Sequence, residues 1–98
     1  MLETGVLDVL RKVVDPELGI NIVDLGLVYS AEVVGRKAFV IMTMTTPGCP
    51  MHAFLTEQAR EVLTQELKDV DAVNVELVWE PPWTPEMMSS AARKQLGW

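Results

Sequence analysis

A single cysteine, Cys49, is all the thiol chemistry this 98-residue sequence holds. One thiol cannot close an intrachain disulfide, and a secreted domain of this size would more often carry an even set. Basic residues are also sparse: eight Lys and Arg stand against fourteen Asp and Glu, for a net charge of -6. The bases are scattered, and the largest groupings are the pairs Arg11-Lys12, Arg36-Lys37 and Arg93-Lys94. Phosphate backbones and anionic membrane surfaces need clustered positive charge, so neither nucleic acid nor membrane is an expected partner. No run approaches the ~18 apolar residues of a membrane span. Glu3 stands where a signal peptide wants positive charge. These absences together predict a cytoplasmic protein.

Several catalytic signatures are missing too. There is no C-x-x-C, no H-E-x-x-H and no glycine-rich phosphate loop. The single histidine, His52, leaves Cys49–His52 as the sole candidate nucleophile–base pair. Such pairs need a third, orienting group. Residues three apart at a helix start do not usually bring an imidazole nitrogen onto a sulfur.

What is present describes one ordinary globular domain. Hydrophobic residues make up 49% and charged residues 22%, which excludes a disordered chain. Val6, Leu10, Val13 and Val14 form one stripe of an amphipathic helix, predicted to stop near Val14 because Asp15 precedes a proline. "DPELGINIVDLGL" (15–27) reads as a loop, long for an idle connection. Residues 27–34 and 38–45 read as two strands of a hairpin turned at Gly35-Arg36-Lys37. A helix begins at Pro50, with Leu55, Ala59, Val62, Leu63 and Leu67 on its buried stripe. Residues 73–80 read as a strand with Val73, Val75, Leu77 and Trp79 on one face. Thr84-Pro85-Glu86 predicts a last helix start, and Gly97 its stop. The order helix, strand, strand, helix, strand, helix predicts an α+β two-layer sandwich, with a small mixed sheet and helices on one face.

The setting of Cys49 is unusual for a space-filling thiol. In "TTPGCP" (45–50), prolines stand on both sides and fix two φ angles. With Pro50 as the first helical residue, Cys49 becomes the N-cap. Free N–H groups and the helix dipole there favour the thiolate. The plain alternative is a cysteine packed as a small hydrophobe. His52, one turn on, could share a metal or a proton with Cys49, although C-x-x-H alone supplies two of the four ligands of a closed site. Asp15, Glu17 and Asp24 are the acids of the long loop. They serve either turn chemistry or the thiol site. Thr43, Thr45 and Thr46 have good strand propensity and need no further role. Met42, Met44, Met51, Met87 and Met88 read as core and interface filler.

With those residues in view, "DPELGINIVDLGLVY", "MTMTTPGCP" and "VWEPPWTPEMMSSAARKQLG", in that order, resemble the SufT and PaaD-like metal–sulfur cluster assembly proteins. The resemblance runs from about Val6 onward. It implies a compact domain similar to the iron–sulfur scaffold C-terminal domain, and a non-enzymatic role in maturing iron–sulfur proteins. It implies that Cys49 is the cluster- or metal-binding residue. It carries the family's supporting positions onto Asp24, Thr43, Thr46, Asp15 and Glu17. The absence of a second cysteine points away from a phenylacetate-pathway role. Because iron–sulfur clusters are typically held by four thiolates, the implied cluster is transient or shared between two chains of a homodimer. The implied partners are the assembly machinery and client apoproteins. Two other readings remain beside it: a cysteine-dependent small-molecule enzyme using Cys49 and His52, and a pure protein-interaction module.

Overall fold

The computed structural model describes residues 3–45 and 52–97. Its elements are α1 (Thr4–Leu10), β1 (Val14–Asp15), β2 (Ile20–Asn21), β3 (Val28–Val34), β4 (Lys37–Met42), α2 (His52–Glu66), β5 (Ala72–Leu77), a 3-10 turn (Pro85–Met87) and α3 (Ser90–Leu96). β3, β4 and β5 form one sheet in that order. β3–β4 is an antiparallel hairpin and β4–β5 is parallel. A parallel neighbour needs a crossover, and α2 supplies it. The sheet is therefore mixed and the domain is α+β, as the sequence predicts.

Alternation along the strands decides which face is covered. Val40 pairs with Ala31 on one side and with Val75 on the other. Ala31, Ala38, Val40 and Met42 are buried, while Val73, Val75 and Leu77 are half-buried. α1 packs on α2 and β3, and α2 packs on β5. Leu10 from α1 joins Leu55, Ala59 and Leu63 from α2 in a single core with that face. The wet side of α2, with Glu57, Arg60 and Glu61, is exposed. Gly35, at φ 63, is the first of two residues between the paired Val34 and Lys37, the pattern of a type II′ hairpin turn. Arg36 then grips Asp71 ahead of β5 with two bonds, Nε to Oδ2 at 2.6 Å and Nη2 to Oδ1 at 2.8 Å.

Four boundaries differ from the sequence reading. α1 ends at Leu10 rather than near Val14. Val13 still reaches the core, but Val14 is 46% exposed and begins β1. The stretch 15–27 is not a plain loop, because β1 and β2 pair within it: Val14 opposite Asn21, Asp15 opposite Ile20. β4 ends at Met42 and β5 at Leu77, which leaves Trp79 39% exposed and off the covered face. The last helix is broken in two. Thr84 and Pro85 start only the 3-10 turn, and Ser89 is the true N-cap of α3, its Oγ accepting from the Ala92 N–H at 3.1 Å. Thr84 makes no side-chain cap bond, whereas Ser89 satisfies one of the orphan donors of the first turn. Gly97 closes α3 at φ 75, the left-handed stop the sequence predicts.

Candidate functional site

The long acidic stretch folds as two nested turns. Asp15 is 4% exposed. Its Oδ1 accepts from the Glu17 N–H at 2.8 Å and its carbonyl from the Gly19 N–H at 2.7 Å. Pro16 presets the bend, and Gly19, at φ 70, lets the chain return as β2. Glu17 sits exposed at the tip of this hairpin.

The second turn starts at Asn21. Its Oδ1 accepts from the Asp24 N–H at 2.9 Å, and its Nδ2 donates to Asp24 Oδ2 at 2.8 Å. The turn closes by two bonds: Leu27 N–H to the Ile22 carbonyl at 3.0 Å, and Gly26 N–H to the Val23 carbonyl at 3.0 Å. With Gly26 at φ 77, this is the 6→1 and 5→2 pairing of a Schellman close. Asp15 and Asp24 thus belong to one hydrogen-bonded unit, since Asn21 pairs in β2 and also holds Asp24.

Thr43 joins the same unit from the other side. Its N–H donates to the Leu27 carbonyl at 2.8 Å, just past the second turn. Its side chain is 1% exposed, and its hydroxyl has no hydrogen-bond partner among the described residues. A buried hydroxyl left unmade costs about 1–3 kcal/mol, so its presence calls for a reason. The nearest phenol is that of Tyr29. Burial pushes the Tyr29 pKa up, the nearby Thr43 hydroxyl pulls it partly back, and the charge of Glu80 pushes it up again. The two hydroxyls are therefore neighbours, without the geometry of a good bond.

Sequence reasoning passed over the residues that anchor the C-terminal segment here. A bulge between Val28 and Ser30 re-aims Tyr29, whose hydroxyl donates to the Pro81 carbonyl at 2.6 Å. Trp83 Nε1 donates to the Leu25 carbonyl at 2.7 Å, and the Ser89 N–H to the Asp24 carbonyl at 2.8 Å. A Cβ at Gly26 would collide with the Met87 carbonyl, so the strap crosses the bend where a side chain is missing. The available signal was the amphipathic character of Tyr and Trp, which carry one polar handle each and seek a partner for it when buried.

The structure thus brings Asp15, Asp24 and Thr43 to one region and leaves Glu17 in solvent. Thr46, Cys49 and the predicted Pro50 helix start lie outside the described residues. His52 opens the described part of α2, and its side chain also lies outside them. Met42, Met44 and Met88 are buried and Met87 is 37% exposed. Met51 again falls outside the described residues. Among the described residues no three His, Cys, Asp or Glu side chains are grouped to hold a metal ion. No helix among them is long and apolar enough to cross a membrane.

The sequence model of a family described as "Iron-sulfur cluster assembly protein" matches residues 3–77. The Fe-S protein maturation auxiliary factor SufT of Staphylococcus aureus (strain USA300) is 45% identical over 86 residues, spanning 87% of this chain and 97% of that protein. The Fe-S protein maturation auxiliary factor YitW of Bacillus subtilis (strain 168) is 38% identical over 97 residues, spanning 98% of this chain and 94% of that protein. Among solved structures, a Domain of Unknown Function DUF59 from Bacillus anthracis superposes with a TM-score of 0.93 at 41% identity. That superposition covers 97% of this chain and 91% of the other.

Proposed function

The chain belongs to the iron–sulfur cluster assembly protein family, and we propose that it helps mature client iron–sulfur proteins by presenting the Cys49 thiolate to a cluster in transit. The observation that carries this reading is the family match over residues 3–77, reinforced by maturation factors of nearly the same length at 38% to 45% identity. It is consistent with the single thiol of the sequence.

Clusters are typically held by four thiolates, so Cys49 fills one position and leaves the rest to other chains. The donors come from a client, from the assembly machinery or from a second copy in a homodimer. An incomplete site suits handing over a cluster better than storing one. On this reading the protein is not an enzyme and works in the cytoplasm. Asp24 and Thr43 support the site from the bend and from the segment just past β4. Asp15 and Glu17 shape the hairpin that carries the bend, and Thr46 and His52 flank the thiol in sequence. The buried, unpartnered hydroxyl of Thr43 supports placing the working region at this end of the sheet.

The test is complementation of a strain lacking the protein, read as the activity of an iron–sulfur dehydratase in anaerobic extracts. Wild type should restore activity, and Cys49→Ser, at equal abundance and with equal thermal stability, should not. Full restoration by Cys49→Ser would overturn the role of the thiol. Failure of the wild-type chain to restore any client would overturn the maturation reading itself.

A further inference from the structure

The two edges of the three-stranded sheet are finished differently. β3 is blunted: a bulge lies between Val28 and Ser30, and the Glu3 N–H donates to the Ala31 carbonyl at 2.8 Å. β5 runs six residues in unbroken register with β4, without a bulge or a proline. Bulges, prolines and covering segments are the usual means of closing an edge to further pairing. In a parallel ladder every second residue turns both of its backbone groups toward the neighbouring strand. The Val78 N–H donates to the Met42 carbonyl at 2.8 Å, and the same phase turns Ala72, Asn74 and Glu76 toward β4. The N–H and C=O groups of Val73, Val75 and Leu77 therefore point away from the sheet. Among the described residues no backbone bond reaches them.

The side chains at this edge form one apolar row and one polar row. Toward the helices, Val73, Val75 and Leu77 extend the buried row of Ala38, Val40 and Met42. They are only half-buried, because the sheet stops at them. On the opposite, open face Ala72, Asn74 and Glu76 are exposed. Glu76 and Glu32 themselves line a shallow hollow of about 210 Å³ floored by Phe39 and Ile41. Neither carboxylate is taken by an ion pair or a side-chain hydrogen bond among the described residues. Lys37 is the one base in the three strands, and it pairs with Ala72 at the far end of the edge from Glu76.

We propose that β5 accepts, in antiparallel pairing, an extended segment of a partner protein in which apolar residues alternate with a lysine or arginine. The outward backbone groups select a strand, which alone meets three N–H and three C=O groups at this spacing. Its apolar residues lie opposite Val73, Val75 and Leu77 and complete their burial. Its base falls opposite Glu76 on the open face, over the hollow that Glu32 shares, and charge complementarity selects it. A second copy fits less well. α2 packs on β5, and two sheets joined edge to edge would set their edge strands about 4.8 Å apart, whereas packed helices need about 8–10 Å between axes. A copy would also bring a net charge of -6 to an edge that carries acid. The inference rests on this edge and not on Cys49 or on the maturation reading.

The test uses the full chain, isotopically labelled, with acetylated and amidated peptides in glycine–serine context carrying Val-Lys-Val-Ser-Val, Val-Glu-Val-Ser-Val or Gly-Lys-Gly-Ser-Gly. In the free protein the amides of Val73, Val75 and Leu77 should exchange quickly with solvent, and those of Asn74 and Glu76 slowly. The first peptide should slow exchange at Val73, Val75 and Leu77, and the other two much less. N-methylation of its central valine, whose N–H faces β5, should abolish binding, whereas N-methylation of its lysine, whose N–H faces away, should not. Glu76→Lys should weaken binding of the first peptide about two- to fivefold, the scale of one exposed ion pair, and should favour the second. Glu61→Lys, on the wet face of α2, should change neither. Slow exchange at the three edge amides in the free protein at every dilution would overturn the proposal. So would protection that grows with protein concentration alone, no protection by the first peptide, equal binding of the first two, or tolerance of the valine N-methyl group. No iron, sulfide or client is present in this experiment, so its failure leaves the maturation reading untouched.

Discussion

Asn21 and Asp24 hold each other by two hydrogen bonds, the Asp24 N–H to Asn21 Oδ1 at 2.9 Å and Asn21 Nδ2 to Asp24 Oδ2 at 2.8 Å. The first caps the turn, and the second fixes the carboxylate of Asp24 beside it. The proposed function gives the two residues different tasks, structural support to Asn21 and support of the thiol site to Asp24. Asn21→Ala should lower stability by about 1 kcal/mol, the scale of a lost cap, as read by urea denaturation. Asp24→Asn keeps an acceptor for the Asn21 amide and should cost little stability while weakening client maturation. Asp24→Asn with full maturation would reduce Asp24 to a turn residue.

Gly26 is the residue on which the strap rests. Its φ of 77 already disfavours any side chain, at about 1–2 kcal/mol. A Cβ there would also displace the Met87 backbone. Gly26→Ala should therefore cost about 2–4 kcal/mol in total, with an overpacking cost added to the backbone cost. It should also loosen the bond between Trp83 and Leu25, seen as a red shift and increased quenching of tryptophan emission. Gly5→Ala, in α1 with open space around it, provides the control and should be neutral or stabilising.

Thr43 offers a test of whether an unmade hydrogen bond is kept for function. Thr43→Val removes the hydroxyl at nearly constant shape. Stability should be unchanged or rise by up to about 1 kcal/mol, because no partner is lost. Maturation of a client should fall. A variant both more stable and fully active would make the hydroxyl a neutral feature of the core.

Cys49→Ser should leave the domain folded with near wild-type thermal stability and without maturation activity. Serine is a favoured N-cap but a poor ligand for iron at neutral pH. Native iodoacetamide labelling of the wild type should outpace that of a model peptide at the same pH. Slow labelling together with a destabilised serine variant would mean that the thiol is core. His52→Ala should reduce maturation only in part, because C-x-x-H is too sparse to be an obligatory site.

The pair of Arg36 and Asp71 sets a pH dependence of known sign. The Arg36 guanidinium holds the Asp71 carboxyl below its ordinary range. A folded-state pKa below the unfolded one gives stabilisation that is present above the unfolded value of about 4 and is lost as pH falls through the lowered folded value. Both groups are fully exposed, so the effect is small and screened by salt. Acid titration of wild type against Asp71→Asn at low ionic strength should show the two converging below about pH 4. Divergence at acid pH instead would contradict the sign.

Much of this protein was decided by local sequence rules. The apolar stripe of α2, the alternation of Val73, Val75 and Leu77, the presence of a turn at Gly35 and the stop at Gly97 follow from periodicity and from the φ freedom of glycine, although the turn spans Gly35 and Arg36 only, with Lys37 already paired in β4. Each acts over a few residues. The acids Asp15 and Asp24 were legible as turn formers for the same reason. The run "DPELGINIVDLGL" concealed a hairpin, because two-residue strands carry too little periodicity to be read. Their pairing depends on Asn21 lying opposite Val14, a relation the linear order does not display.

The C-terminal strap depended wholly on tertiary structure. "PPWTPEMMS" lacks periodicity, and its bonds run to Leu25, Asp24 and Tyr29, more than fifty residues away in sequence. Ser89 displaced Thr84 as the cap of α3 because the Ser89 N–H is fixed by the Asp24 carbonyl, which sets where the helix must start. Thr43 was visible as a residue type, but its lack of a partner is a property of the assembled core. Sequence fixes a residue's propensities and its chemistry, whereas burial and the distance to a remote partner arise only when the chain closes on itself.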